Sequence, residues 1–415
     1  MTATHLIEHL DELYTCAGPG PRAGARQGDA GLVTDGAVAW DGAAIVAVGP
    51  TAAVRASVAI PPTADIIDGR GRSLVPGFVD AHTHVVYAGD RRDELRRRLA
   101  GASYAEVAAA GGGILSTVRA TRAASDVALV DATVARLAEM LAAGTTTCEA
   151  KSGYGLDTET EVRMLRAIGA VGGRQPIEIA ATFMGAHAVP AEYRGRQSEY
   201  VRLVIDEMIP RAARHAEWCD VFCDTGFFTP AESQAILEAG RAAGLKPRIH
   251  ADELGASGGS LVAARVGARS ADHLVHVTPD GIAALAGAGV VATLLPAAAF
   301  FLKLGRFAPA RDLIAAGVPV ALATDVNPGG GFSPSIPFVM ALGCFAMGLT
   351  FDEALVGATI NGAASLDRAD RIGSLEPGKQ FDAVLVDGSA TNLLRINVPA
   401  IRAVIKRGSV AWGGW

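Results

Sequence analysis

The sequence predicts an α/β fold: a (β/α)8 TIM-like barrel joined to a small β-sandwich domain formed from both chain termini. Two observations carry this. The middle of the chain alternates short apolar runs with helical stretches eight times, and eight β-then-α units are the number that closes a parallel barrel. Both ends, in contrast, read as short strands joined by turns. The implied division is 1–72 with 375–415 for the composite β domain and 73–374 for the barrel.

At the N-terminal end, Ala37-Val-Ala-Trp40, then Asp41-Gly42, then Ala43-Ala-Ile-Val-Ala-Val48 is a strong hairpin signal. Ile66-Ile-Asp-Gly adds a strand and turn. At the other end, Phe381-Asp-Ala-Val-Leu-Val386 and Ile401-Arg-Ala-Val-Ile-Lys-Arg-Gly408 are of the same type. Barrel strands are expected at 73–78, 144–149, 177–183, 220–223, 247–250, 270–272, 290–295 and 318–323. Their near-continuous apolar character fits a sheet covered on both sides. Helices are expected at 126–143, 159–169, 199–213, 230–243, 258–266, 279–288 and 308–316.

Composition excludes several classes. The chain has 415 residues, half of them hydrophobic, and 49 glycines, enough for a large core. Net charge is −6, and no basic block would track a phosphate backbone, so no nucleic-acid partner is expected. The arginine-rich segment 91–98 carries interleaved acids and reads mostly as a solvated helix face. Five cysteines, an odd number without zinc-ribbon spacing, fit a reduced, cytoplasmic protein. Residues 281–302 lack charge over a length that can span a bilayer, yet Pro296 and two glycines break the run. A helix followed by a buried strand is expected there, and no membrane partner.

In such a barrel, reactive groups belong at the C-terminal strand ends. His82 and His84 close the first strand in Val75-Pro-Gly-Phe-Val-Asp-Ala-His-Thr-His84. Residues two apart on an extended backbone point the same way, so both imidazoles can reach one point. Glu149 and Lys151 follow the second strand, and His187 the third. His250 closes the fifth, with Glu253 three residues on; His273 closes the sixth and Asp325 the eighth. His82, His84, His250 and Asp325 suit one metal ion with open positions for water. Such an ion lowers the pKa of water to ~7. Glu253 then suits a proton carrier and His273 an orienting group. An electrophilic carbon above that water would be hydrolysed.

These motifs resemble the amidohydrolase superfamily. The narrower resemblance is to the imidazolonepropionase family, through Tyr87-Ala-Gly-Asp-Arg91, Glu149-Ala-Lys-Ser-Gly-Tyr-Gly-Leu156, Gly185-Ala-His187, His250-Ala-Asp-Glu253 and Asp325-Val-Asn-Pro-Gly329. It runs over nearly the whole chain. It implies one zinc or iron ion per subunit on His82, His84, His250 and Asp325, with Glu253, His273 and Asp325 catalytic. Arg91, Tyr104, Tyr154, His187 and Glu253 would hold a small-molecule substrate, with Asn327 and the Gly329 and Gly330 backbone meeting its remaining polar atoms. It also implies ring opening of 4-imidazolone-5-propanoate and a homodimer. Gly330 departs from the Ser or Thr common in the family, so only its backbone is expected to contribute. Lys151 invites a carboxylated lysine bridging two metals, but the resemblance points to one. Gly111-Gly-Gly113 reads as a loop over the site, not a phosphate cradle. The competing readings are an aromatic-ring deaminase on the same metal set and a non-catalytic binder on a retained barrel.

Overall fold

The structure is a computed structural model and describes residues 2–102, 106 and 112–415. Eight parallel strands follow one another in chain order: Phe78–Asp80, Thr145–Lys151, Glu178–Ala186, Trp218–Cys223, Lys246–Ala251, Ser270–His273, Val291–Leu294 and Val320–Leu322. Every neighbouring pair is parallel. The first and last strands meet just past their ends. Asp325 N–H donates to His82 O at 3.0 Å, His84 N–H to Val326 O at 2.9 Å, and Thr324 binds the buried Asp80 carboxylate. This seam lays the His-x-His segment against Asp325.

The intervening helices carry readable signals. Asp126–Ala142 starts behind Ser125, whose side chain accepts from Ala128 N–H. Pro230–Ala242 starts with a Thr229/Glu232 capping box and Pro230 in its first turn. Pro279–Ala288 ends on left-handed Gly289, and the buried strand Val291–Leu294 follows, as the uncharged stretch predicted. No helix among the described residues is long and apolar enough to cross a membrane.

Both ends of the chain build a second, mixed eight-stranded sheet. Its order runs Ser409–Gly413, Ile401–Lys406, Ala383–Asp387, Arg72–Pro76, His5–Tyr14, Leu32–Asp41, Ala44–Pro50, with Asp65–Asp68 beside His5–Tyr14. Its core gathers Leu10, Val38, Trp40, Leu74, Phe381 and Ile405, and Trp40 lies 4.6 Å from the Phe381 ring.

One strand expectation is corrected. The run 73–78 is not a single barrel strand. Arg72–Pro76 pairs with Ala383–Asp387 and His5–Tyr14 in the terminal sheet, and the barrel strand begins only at Phe78. Gly77 makes the crossing. A Cβ there would come within 2.4 Å of Thr146 Oγ1, so only glycine fits. The expected helix 199–213 is interrupted by a π-helical turn at Val204–Met208. Helices Ile336–Met347, Phe351–Ala358 and Ile360–Ser365 follow the last strand without having been predicted.

Candidate metal centre and substrate cavity

The strand ends deliver their polar groups to one rim. His82, His84 and His250 each offer a nitrogen within 4.8 Å of the others, and all three are buried. His84 Nε2 is 3.2 Å from His250 Nε2, and Asp325 Oδ1 is 3.6 Å from the Nε2 of both His82 and His84. A tetrahedral ion with ~2.0–2.1 Å bonds sets its ligand atoms about 3.3 Å apart. The far nitrogens of His82 and His250 are anchored, while that of His84 has no partner. His82 Nδ1 is 2.6 Å from Asp272 Oδ2, and His250 Nδ1 is 3.1 Å from Asp220 Oδ1. A carboxylate on Nδ1 keeps the proton there and turns the Nε2 lone pair inward. His82 Nε2 then stands buried without a hydrogen-bond partner, a costly state for a polar atom. An ion between these four side chains removes that cost, so the donor set fits a metal.

The electrostatics agree. Burial pushes His82 and His84 well below the usual histidine range, helped for His82 by Lys151 and for His84 by His187. Neutral imidazole is the ligating form. Burial raises Asp325 and Glu253 well above the usual carboxylate range, with the Asp325 charge adding to the effect on Glu253. Negative charge at this rim therefore lacks compensation. The backbone is also unusual: His273 and Asp325 have φ of 75° and 51°, a left-handed conformation that non-glycine residues adopt at a cost.

Above the three imidazoles opens a cavity of about 510 Å³. His84, Arg91, Tyr154, His187, His250, Glu253, His273, Asp325, Asn327, Gly329 and Gly330 all line it. His187 stacks on His84 with ring centres 5.0 Å apart, and Tyr154 lies 5.1 Å from His187. His273 Nδ1 is 3.6 Å from Glu253 Oε1. Tyr104 and Gly111 lie outside the described residues. Asn327 works inside its own loop: Oδ1 accepts from Gly329 and Gly330 N–H, and Nδ2 donates to Asp325 O. Those two backbone N–H groups are thus already engaged. A Cβ at Gly329 would sit 2.1 Å from Arg91 Nη1, so glycine here lets the guanidinium lie where it does.

Arg92, Arg96 and Arg97 are exposed, as the mostly solvated face predicts, whereas Arg98 is half-buried. It lines the cavity and donates to Gly329 O at 2.6 Å. Its seven-residue spacing from Arg91, two helical turns, was the available signal. Phe222 and Phe227, with centroids 4.0 Å apart, form another wall that the sequence reading missed. Lys151 does not face the cavity; it is buried between Glu149 and Asp220, 2.7 Å from each.

Comparison with known proteins agrees with this geometry. Residues 73–411 match the amidohydrolase family. An imidazolonepropionase from Geobacillus kaustophilus is 47% identical over 413 residues, covering 97% of each chain. Another, from Symbiobacterium thermophilum, is 48% identical over 384 residues, covering 92% of this chain and 90% of that one. Among solved structures, an adenosine deaminase from Xanthomonas campestris with bound zinc superposes with a TM-score of 0.70 at 22% identity, covering 99% of this chain and 93% of that one. An atrazine chlorohydrolase from Arthrobacter aurescens, complexed with zinc and atraton, gives 0.68 at 19% identity, with 98% and 94% covered. These two show the shared fold. With near-complete coverage at almost half identity, the chain belongs to the amidohydrolase family and, within it, to the imidazolonepropionases.

Proposed function

We propose that this enzyme hydrolyses the cyclic amide of 4-imidazolone-5-propanoate to N-formimidoyl-L-glutamate in histidine degradation. The observation that carries the reading is the convergence of three imidazoles and Asp325 at the floor of a cavity with Arg91 on its wall. A zinc or iron ion held by His82, His84, His250 and Asp325 would make a water acidic enough to lose its proton near neutral pH.

The chain's own groups do the rest. Arg91 pairs through Nε with Glu94 at 2.8 Å, which leaves its terminal nitrogens for the substrate propanoate. Tyr154 and His187 contact the planar ring, and Tyr104 joins them in this reading. Glu253 takes the water proton as oxygen attacks the ring carbonyl carbon, then gives it to the departing ring nitrogen. The carbonyl carbon becomes a carboxylate as the C–N bond breaks. Burial suits Glu253 to this exchange, because it raises the carboxyl well above the usual glutamate range and so lets it hold a proton. His273, beside Glu253, orients the water. Asn327, Gly329 and Gly330 shape the wall next to Arg91.

The accompanying division gives 73–374 to the catalytic barrel and 1–72 with 375–415 to the small domain, residues 73–76 being shared through their pairing. Five free cysteines, four of them buried, support a reduced cytoplasmic setting. A homodimer completes the reading. The test is a spectrophotometric assay of imidazolone propanoate with product identification, beside assays for ammonia from purines and pyrimidines. Ring opening is expected; ammonia release without it would reassign the enzyme as a deaminase. Elemental analysis of purified protein identifies the metal.

A further inference from the structure

Directly beneath the three imidazoles, an ammonium group links the two segments that carry them. Lys151 Nζ lies 2.7 Å from Glu149 Oε1 and 2.7 Å from Asp220 Oδ2, and all three side chains are fully buried. Each carboxylate uses its other oxygen on a histidine-bearing segment. Glu149 Oε2 accepts from the N–H of Thr83, the residue between His82 and His84, at 3.0 Å. Asp220 Oδ1 faces His250 Nδ1 at 3.1 Å and accepts His250 N–H at 3.2 Å. The path Thr83–Glu149–Lys151–Asp220–His250 thus spans the barrel interior between ligands 166 positions apart.

We infer that Lys151 is a positioning residue for the metal site: it holds Asp220 aimed at His250, so that His250 presents Nε2 in register with the His-x-His pair. The inference rests on the metal reading above. Two buried carboxylates this close to one another need a cation between them; without one they repel, and at least one turns away. An Asp220 turned away no longer holds the His250 ring in orientation. The same contacts remove Lys151 from a bridging role, since its nitrogen already sits between two carboxylates.

The inference makes a prediction of opposite sign to simple charge repulsion. An ammonium near a cation repels it, so Coulomb's law alone has Lys151→Met bind metal more tightly. Positioning has it bind more weakly. The experiment strips the full-length protein, then measures zinc affinity by competition with a chromophoric chelator. Lys151→Met is expected to lose roughly 10–100-fold. Lys151→Met/Asp220→Asn is expected to be no weaker than Asp220→Asn alone, because both act through one carboxylate. Unchanged or tighter zinc binding by Lys151→Met, or full additivity in the double variant, overturns the inference. Should Lys151→Met not fold by circular dichroism, Glu149→Gln decides: it frees one end of the ammonium and is expected to weaken zinc binding several-fold, and wild-type affinity there overturns the inference. Wild-type protein that takes up no zinc would overturn the metal reading itself, and this inference with it.

Discussion

At the N-terminal ends of the barrel strands, buried and half-buried charge is answered by opposite charge. Arg368 donates to Glu178 at 3.1 Å and to Glu217 at 2.8 Å, Arg371 donates to Glu178, and Lys406 meets Asp382 at 2.8 Å. Lys246 and Arg269 share Asp367. At the C-terminal ends the chemistry differs. Acids and imidazoles are more deeply buried there, yet His82 Nε2 has no partner and Asp325 faces two histidine nitrogens 3.6 Å away. One end completes its own charge balance and acts as a brace. The other leaves a deficit of positive charge whose shape matches an ion. Burial of charge alone does not mark a site; what marks it is an anion and lone pairs left over.

The sharpest way to break this contrast is to remove a nitrogen from the upper end. His250→Ala is expected to lose bound metal and all measurable turnover while still folding, as read by elemental analysis, assay and circular dichroism. Retained metal with retained turnover would erase the distinction. Next in size, Glu253→Gln should lower kcat roughly 10²–10⁴-fold with metal content intact; full activity would remove Glu253 as proton carrier. The lower end should respond in stability instead. Lys406→Met strands the buried Asp382 and should cost about 3–5 kcal/mol in denaturant unfolding, with kcat per folded molecule unchanged. A milder change at the cavity wall, Arg91→Lys, keeps the charge but loses the planar fork. KM should rise roughly 10-fold with little change in kcat.

The smallest effect is a pH dependence of the brace. Burial pushes Glu178 up, but hydrogen bonds from Arg371 and Arg368 and the Lys406 charge more than reverse this and hold it below the usual glutamate range. A lowered folded pKa gives stability that is present above the unfolded value of about 4.5 and is lost as pH falls through the folded value. Glu178→Gln should therefore flatten the acid limb of the unfolding midpoint below pH 4.5 and leave neutral pH turnover alone.

Much of the upper end was readable in the chain because strand ends advertise themselves. An apolar run that stops at His250, His273 or Asp325 puts the polar group at a rim, and the barrel rule turns six such stops into one site. The supporting acids were hidden for the converse reason. Asp220 and Asp272 sit inside strands, where alternation gives no hint that they point at a histidine from another segment. The split at Gly77 was hidden because a buried strand looks the same in either sheet. Arg98 disappeared into a charged helix, since periodicity ranks a face by its average and not by one inward side chain.

The strand Arg72–Pro76 leads through a single glycine into the first barrel strand, and Ser73 Oγ bonds Gly388 O, 315 positions later. On the ribosome, the flank that steadies the His-x-His segment is therefore made long after that segment itself. The barrel's opening strand stays half-tethered until Ala383–Asp387 emerges to pair with Arg72–Pro76, so the site's first segment is braced by the chain's later half and not by its own neighbours.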